Sequence, residues 1–147
     1  AQRGANLDEV VSGVQGLIPE VNLLAFLDTL YYLRRSGRVP RVAAWAGALL
    51  GIKPLTEMRL GEAKVLDKPR SRARATERLL EIMKGRVEDR PVHINVMHAH
   101  SDDDAERLSQ RLELEFDCRD LFVSEFTPVM GAHLGPGLLG VAFYTDP

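Results

Sequence analysis

The sequence predicts an α/β domain built on a mixed sheet. Six segments have the apolar or alternating pattern of β-strands, and segments with helical periodicity separate most of them. One pair of strand candidates is joined by a short glycine-containing turn, which is typical of an antiparallel hairpin. The 147 residues contain no internal repeat or linker, so a single domain over residues 1–147 is expected.

The chain opens with a predicted helix and a buried strand. Residues 7–18 form the short helix, which ends at Pro19 because proline cannot continue it. Residues 21–27 form a compact apolar run, which is typical of a strand buried on both faces.

Two further helices follow this strand. Asp28 or Thr29 caps the first, which stops at Ser36-Gly37, since glycine favours the end of a helix. Pro40 begins the second, an alanine-rich segment that continues to about Leu50.

The middle of the chain predicts a hairpin and then a basic helix. Residues 52–60 and 63–66 are the two strands, and Gly61-Glu62 is the turn between them. Residues 71–84 are helical, because leucine and methionine share one stripe and the arginines lie mostly elsewhere.

A strand and an acidic-capped helix follow. Apolar and polar residues alternate over residues 92–97, which indicates a half-buried strand. Ser101 is the expected N-cap of the next helix, and residues 102–104 place three aspartates in its first turn, where negative charge suits the helix dipole. The buried stripe of that helix is Ala105, Leu108, Leu112 and Phe116.

The last elements are two strands around a glycine-rich connection. Residues 121–126 and 138–144 are the strands, and residues 128–133 form a helical turn between them. Residues 134–137, Leu-Gly-Pro-Gly, form a tight loop before the final strand.

Composition excludes several classes of protein. Hydrophobic residues make up 45% of the chain and charged residues 27%, which is ordinary for a globular domain and argues against disorder. The longest apolar run, Val42 to Ile52, is too short to cross a bilayer, so no transmembrane segment is expected. Residues 1–20 lack a signal-peptide pattern, and the single cysteine, Cys118, forms no internal disulfide. We therefore expect a cytoplasmic protein.

Charge is distributed unevenly along the chain. The net charge is −2, but residues 34–86 hold fourteen basic and five acidic residues, a net charge of +9. Such a block either faces an anionic partner or is spread over solvated faces. Two basic turns lie within it, and both Arg70 and Arg72 lie near a helix N-terminus, where cations oppose the dipole. This unfavourable placement suggests that both arginines have a role toward a phosphate or a partner protein.

One histidine cluster is compatible with a metal site. His98, His100 and Asp102 come one residue short of the H-x-H-x-D-H pattern of metallo-β-lactamase-like hydrolases, because Asp103 stands where the last histidine belongs. A plainer interpretation is that the histidines end a strand and the aspartates begin a helix.

A second candidate site is the segment from residue 131 to residue 137. Its three glycines and one proline fix an unusual backbone path, which lets the main chain approach a ligand closely. His133 places one imidazole there, able to donate or accept a hydrogen bond. A structural turn with an exposed histidine explains the same residues.

Four segments together resemble one family. Residues 28–39, DTLYYLRRSGRV, are similar to the pattern D-T-L-x-Y-L-x-x-G-G-R-I, and residues 50–55, LGIKPL, to L-x-I-K-P-I. Residues 68–70, KPR, resemble a K-x-R start to a basic helix, and residues 128–140 resemble an ending H-x-G-P-G-x-x-G. The family is DegV, the bacterial fatty-acid-binding proteins that serve as lipid-carrying subunits of fatty acid kinase.

The resemblance implies a fold and an incomplete protein. Family members have two domains that hold one acyl chain between them, and the matches cover only the C-terminal half, a two-layer α/β domain with a six-stranded mixed sheet. The N-terminal carboxyl-binding domain has no counterpart here. We therefore expect a fragment that exposes one apolar wall and either self-associates or binds a hydrophobic dye more than the intact protein does.

The resemblance also implies roles for individual residues. His133 and Arg38 would lie around the fatty acid carboxyl, Gly135 and Gly137 would shape the ligand loop, and Arg70 would face the kinase or the phosphate. Ser36 replaces the first glycine of the family's G-G-R, and Gly137 offers only backbone at a position that carries a hydroxyl group in some relatives.

The leading hypothesis is a non-catalytic carrier that presents a long-chain fatty acid to a separate fatty acid kinase. It needs no cofactor and no metal, and no catalytic residue is assigned. The alternatives are a metal-dependent hydrolase using His98, His100 and Asp102, and a basic nucleic-acid-binding domain. Few aromatic residues accompany the arginines, which disfavours nucleic acid as the partner.

Overall fold

The computed structural model of the chain describes residues 4–37 and 51–146. The helices in these residues are α1 (Leu7–Leu17), α2 (Tyr31–Arg35), α3 (Arg72–Val87), α4 (Asp102–Glu115) and α5 (Pro128–Leu134). The strands are β1 (Asn22–Phe26), β2 (Leu55–Arg59), β3 (Glu62–Asp67), β4 (Val92–Ala99), β5 (Cys118–Glu125) and β6 (Leu138–Thr145). The helix predicted from Pro40 to Leu50 lies outside the described residues.

The six strands form one mixed sheet in the order β3-β2-β1-β6-β4-β5. Only β4 and β5 run parallel, and they are connected through α4; the other neighbouring pairs are antiparallel. This arrangement confirms the predicted fold class, an α/β domain with a six-stranded mixed sheet.

Helices α3 and α4 cover one face of the sheet. Each helix turns an apolar stripe toward the strands: Ala75, Leu79, Leu80, Met83 and Val87 from α3, and Ala105, Leu108 and Leu112 from α4. These side chains meet alternate residues of the central strands, which form the core with them: Leu24, Phe26, Leu55, Val92, Ile94, Val96, Leu139, Val141 and Phe143. The buried residues, which recur at the strand period in the sheet and at the helix period in α3 and α4, therefore form one core between the sheet and these two helices.

The described residues cover the other face of the sheet only in part. Two short helices, α2 and α5, contact each other at one end of that face. The longer helix α1 buries none of its residues. Its apolar side chains Leu7 and Val14, and that of its C-cap residue Ile18, are more than half exposed. Within the part of the chain that the structure describes, one face of the sheet is thus covered by two helices and the other is largely open.

Several boundaries differ from the prediction. β2 begins at Leu55 rather than residue 52. Pro54 has no backbone N–H to donate to the sheet, although its carbonyl accepts from the Leu27 amide at 3.2 Å. β5 begins at Cys118, three residues earlier than predicted. Phe116, assigned to the stripe of α4, is the extended C-cap residue of that helix, although it still packs at the edge of the core. Among the described residues, no helix has both the length and the hydropathy needed to span a membrane.

Candidate functional site

An apolar cavity lies on the open face of the sheet. Its volume is about 350 Å³, within the range of about 300–1,000 Å³ that is usual for small-molecule sites. β1, β2 and β3 supply its floor through Leu23, Ala25, Thr56, Met58, Ala63 and Val65. Helices α2 and α5 and the segments beside them supply its walls through Leu30, Leu33, Phe126, Val129, Met130, His133, Leu134 and Leu138.

The strand alternation of the sequence creates this cavity. In β1, Leu24 and Phe26 point into the helical layer, so Leu23 and Ala25 must point to the opposite face. Among residues 4–37 and 51–146, no long helix covers these side chains, and Met58 and Val129 at the margin of the cavity are 39% and 64% exposed. As the described residues form it, the cavity is open on one side and lined mostly by carbon atoms.

His133 is one of the few polar groups that line the cavity. It lies in the last turn of α5, a helix that begins at Pro128 and is capped by the Thr127 hydroxyl, which accepts from the main-chain amide of Met130. The ring is half-buried and makes no hydrogen bond with any other described residue. A polar imidazole thus borders an apolar space, and its contact with a ligand stays a prediction.

Gly135 ends α5 in a conformation that few other residues adopt. Its backbone has φ 85° and ψ 168°, a region essentially restricted to glycine. A Cβ atom there would lie 2.2 Å from Cδ2 of Tyr32, so α2 and α5 approach closely only because residue 135 has no side chain. Gly135 therefore fixes one wall of the cavity.

Gly137 has a similar role at the start of β6. Its φ is 81°, and a Cβ atom there would lie 2.8 Å from Cβ of Asp28. Its amide donates to the carbonyl of Ala99 at 2.8 Å. Both glycines shape the loop after His133, and a direct contact between either of them and a ligand stays a prediction.

Arg72 joins this loop to three other parts of the chain. Its Nη1 donates to the Gly137 carbonyl at 2.6 Å and lies 3.2 Å from Oδ1 of Asp28. Its Nε donates to Oδ2 of Asp104 at 2.7 Å, and its Nη2 donates to the Ser101 hydroxyl at 2.9 Å. Each nitrogen of the guanidinium therefore has a partner within the chain. The side chain is 28% exposed.

These contacts account for the unfavourable position of Arg72 at the start of α3. Two carboxylates, from Asp28 and Asp104, offset the charge that opposes the helix dipole. The prediction that Arg72 faces a partner or a phosphate therefore has a structural alternative within the domain, and it stays a prediction.

Asp28 and Lys53 are site residues that the sequence analysis did not single out. Lys53 donates from Nζ to Oδ1 of Asp28 at 2.8 Å and to the Asp28 carbonyl at 2.7 Å. Asp28 directly follows Leu27, a cavity-lining residue, so this ion pair anchors the end of β1 beside the cavity. Asp28 is the first residue of the segment that resembles the family pattern beginning D-T-L, and Lys53 is the lysine of the segment that resembles L-x-I-K-P-I. Those two matches were the signal in the sequence that could have identified them.

The charges around Asp28 keep it ionised. The hydrogen bond from Lys53 and the contacts with Arg72 hold the pKa of Asp28 below its ordinary value, despite the opposing effect of burial. Burial would raise the pKa of Asp104, but hydrogen bonds from Arg107 and Arg72 outweigh it and lower that pKa. Both carboxyl groups, Asp28 and Asp104, are therefore ionised near neutral pH.

Arg70 differs from Arg72 in its surroundings. Arg70 is exposed and makes no hydrogen bond or ion pair with any described residue, so its guanidinium is available at the surface. Arg38, which the resemblance places near the fatty acid carboxyl, lies outside the described residues.

The predicted metal cluster is only partly assembled. His98 is buried at the end of β4, and one of its ring nitrogens, one oxygen of Asp102 and one oxygen of Glu125 lie within 4.8 Å of one another. His100 is not a member of this group; it is exposed, with φ 53°, in the turn before α4. The turn carries the two histidines apart, because His98 belongs to the core face of β4 and His100 has left the strand.

Comparisons with known proteins agree with the fold. A family model described as "Uncharacterised protein, DegV family" matches residues 1–146. A DegV domain-containing protein of Streptomyces coelicolor is 39% identical over 142 residues, which is 96% of this chain and 50% of that protein. A DegV domain-containing protein of Clostridium perfringens is 31% identical over 97% of this chain and 50% of its own length. The chain spans about half the length of these relatives, consistent with the expected C-terminal half of a two-domain protein.

Solved structures show the same fold. A fatty acid binding DegV family protein from Streptococcus agalactiae superposes with a TM-score of 0.82 at 28% identity, over 99% of this chain and 52% of that one. The fatty acid kinase B3 protein of Streptococcus pneumoniae, whose structure is loaded with linoleic acid, superposes with a TM-score of 0.83 at 18% identity, over 98% and 51% of the two chains. Because the family model covers nearly the whole chain and the Streptomyces protein is 39% identical over 96% of it, the chain belongs to the DegV family.

Proposed function

We propose that this chain is the acyl-binding half of a fatty acid carrier, which presents its ligand to a separate kinase for acyl phosphate formation. The observation that carries the proposal is the open apolar cavity of about 350 Å³ with His133 in its lining. An aliphatic chain suits a cavity lined by leucine, valine, methionine and phenylalanine, since each buried CH₂ contributes about 0.8 kcal/mol.

Among the described residues, few polar groups line the cavity, and they suit a single polar head group. His133 can donate to or accept from a carboxyl group, and we propose that Arg38 lies near the same head group. Gly135 and Gly137 hold the loop in place beside it. The chain itself supplies binding and no chemistry, so we assign it no cofactor and no catalytic residue.

The relatives support the ligand class. The Streptococcus agalactiae structure is described as fatty acid binding, and the Streptococcus pneumoniae protein is a fatty acid kinase component holding linoleic acid. We propose a long-chain fatty acid as the ligand of this chain and a kinase catalytic subunit as its partner. Exposed Arg70 would face that kinase or the transferred phosphate, where a cation stabilises phosphoryl charge. The single cysteine is consistent with action in the cytoplasm.

The remaining half of such a carrier would close the cavity. The margin of the cavity is exposed in this chain, and a carrier that holds an acyl chain needs most of the ligand surface covered. We propose that a second domain, corresponding to the half of the relatives that this chain does not span, supplies the cover and the carboxyl-binding hydroxyl groups.

Mass spectrometry of an organic extract from the purified carrier tests the proposal. We expect a co-purified fatty acid, and we expect Ala63→Phe to reduce the amount severalfold, because Ala63 lines the cavity and is itself exposed enough to accept a larger side chain. Ala132→Phe is the matched control, since Ala132 is exposed on α5 and does not line the cavity. Absence of lipid, or equal loss in both variants, would contradict the proposal.

The same preparation discriminates the alternatives. Stoichiometric zinc or iron in the purified protein would favour the metal-dependent hydrolase, centred on His98 and Asp102. Retention on DNA that falls steeply with salt would favour the nucleic-acid-binding domain.

A further inference from the structure

The floor of the cavity contains a row of short side chains that runs across the strands. Its members lie directly opposite one another on adjacent strands, and together they are called the short row here: Val65 on β3, Thr56 on β2, Ala25 on β1 and Gly140 on β6. The first three line the cavity, and Gly140 is buried next to Ala25. The register shift between Leu55 and Thr56 lies to one side of the row and leaves the pairing of Thr56 with Val65 intact.

Longer side chains flank the short row on both sides. The flanking residues are Leu23 and Met58 on one side and Leu27 and Pro54 on the other, and all four line the cavity. Alternate residues of a strand share a face, so Leu23 and Leu27 lie on either side of Ala25, with their Cα atoms about 13 Å apart at the usual strand rise. The short row is therefore the bottom of a straight trough that crosses β1 and β2 between two ridges.

The bottom of this trough is apolar and low. Thr56 carries the only hydroxyl group of the short row, and that hydroxyl donates to the Ala25 carbonyl at 2.8 Å. A Cβ atom at Gly140 would lie 2.8 Å from Cβ of Ala25, so β6 pairs with β1 at this point because residue 140 has no side chain. The short row consequently presents no unpaired side-chain donor to a ligand.

We propose that the trough selects a straight, saturated acyl chain, which lies across the strands along the short row. This inference rests on the proposed carrier function and adds the class of acyl chain that the described floor accepts. A chain that ran along β1 would have to cross Leu23 or Leu27, whereas a chain across the strands meets no side chain of the short row larger than valine.

The ridges distinguish a straight chain from a bent one. A saturated chain in its extended form is straight, so it contacts the bottom of the trough along its length. A cis double bond bends the chain, and a bent chain must rise over Leu23 on one side or Leu27 on the other. The part of the chain that rises loses its burial against the floor, which weakens binding.

Competition between two fatty acids of equal length tests the selection. The complete carrier is freed of lipid and mixed with equal amounts of palmitic acid, which is saturated, and palmitoleic acid, which has one cis double bond. Mass spectrometry of the bound fraction should show about fourfold more palmitic acid, the ratio that corresponds to one CH₂ losing its burial of about 0.8 kcal/mol. Equal amounts, or an excess of palmitoleic acid, would overturn the proposal. Uptake of neither acid would contradict the carrier function as well, so the two failures are distinguishable.

Removing a ridge shows whether this chain sets the selection. Leu23→Ala should bring the ratio of the two acids close to one, because the bent chain then fits beside Ala25. Leu60→Ala is the matched control, since Leu60 is 69% exposed in the turn after β2 and does not line the cavity. It should keep the ratio of the unmodified carrier. A ratio that Leu23→Ala leaves unchanged would overturn the proposal.

Raising the floor tests the path of the chain. Ala25→Val adds bulk in the middle of the short row and should lower the binding of both acids severalfold. Ala142→Val is the control, because Ala142 is also half-buried and lies opposite Leu23 on β6 but does not line the cavity. Urea unfolding of both variants separates loss of binding from loss of folding. Equal binding by the two folded variants would show that the acyl chain does not follow the short row.

Discussion

Nη1 of Arg72 donates a hydrogen bond of 2.6 Å to the main-chain carbonyl of Gly137, sixty-five residues further along the chain. This contact ties the first turn of α3 to the segment that leads from His133 into β6. The loop beside the cavity is consequently held by a side chain from the other face of the sheet.

Replacing Arg72 should loosen the loop even when the charge is kept. Arg72→Lys removes the planar fork that reaches Gly137, Asp104 and Ser101 together, and we expect the free energy of unfolding to fall by about 1.5–3 kcal/mol. Urea unfolding measures the change. Arg74→Lys, at an exposed position in the same helix turn, is the control and should be nearly neutral. Equal stability of the two variants would show that the loop does not depend on Arg72.

Gly135 should not tolerate a side chain. Gly135→Ala must adopt a glycine-only conformation at a cost of about 1–3 kcal/mol, with a Cβ atom only 2.2 Å from the Tyr32 ring. We expect lower thermal stability and a distorted cavity. Gly131→Ala, inside α5 with nothing within 4 Å of the added Cβ, should instead stabilise the protein by about 0.5–1 kcal/mol. A Gly135→Ala protein as stable as Gly131→Ala would contradict the close approach of α2 and α5.

His133→Ala should separate ligand retention from ligand transfer in the complete carrier. One hydrogen bond to a charged head group contributes about 1.5–3 kcal/mol, whereas the buried acyl chain contributes about 0.8 kcal/mol for each CH₂. The variant should therefore still co-purify with fatty acid but support slower acyl phosphate formation by the kinase. His100→Ala, an exposed histidine outside the cavity lining, should match the unmodified protein in both assays. Unchanged acyl phosphate formation with His133→Ala would show that His133 has no role in transfer and that residues 131–137 form only a structural turn.

Arg70→Ala should also weaken transfer to the kinase, but through the partner surface rather than through the ligand's head group. The exposed guanidinium of Arg70 is placed to act on a partner, so kinase coupling should weaken while fatty acid binding stays nearly intact. The loss should shrink at high salt, because exposed charges more than about 8–10 Å apart are largely screened near physiological ionic strength. Parallel loss of binding and coupling would instead assign Arg70 to the ligand site.

His93 should make stability depend on pH above 6.5. Burial alone would lower the pKa of His93, but Asp120, 2.6 Å from Nδ1, and Asp146, 3.2 Å from Nε2, outweigh it and raise the pKa above the ordinary 6.5. The charged ring therefore stabilises the fold fully below pH 6.5, and this contribution is lost as the pH rises through the raised pKa. Melting temperatures on both sides of pH 6.5 should show a smaller decline for His93→Gln. An identical decline would show that His93 is not the titrating group.

The pattern of the sequence was sufficient for most of the fold. Alternation over β4 and the apolar stripes of α3 and α4 correctly predicted which residues form the core, because burial on one face imposes a regular period. Boundaries were less predictable: β5 begins at Cys118 because pairing with β4 extends it through a charged stretch that has no strand propensity of its own.

The site was only partly predictable. Glycine and proline spacing pointed to His133 and its loop, since those residues restrict the backbone locally. The partners of Arg72 could not be read from the sequence, because Asp28 and Asp104 lie 44 and 32 residues away from it. Arg72 and Arg70 have similar local sequence, and only the tertiary fold distinguishes the side chain that is bound within the domain from the one that is exposed.

The position of β6 in the sheet has a consequence for synthesis. β6 is the last described strand in the chain, yet it lies at the centre of the sheet, hydrogen-bonded to β1 on one side and β4 on the other. On the ribosome, β1–β3 and β4–β5 emerge first as two separate pieces, each with an unpaired inner edge. Both edges stay unpaired until β6 has been synthesised. During that interval, chaperone binding and premature association compete with completion of the sheet.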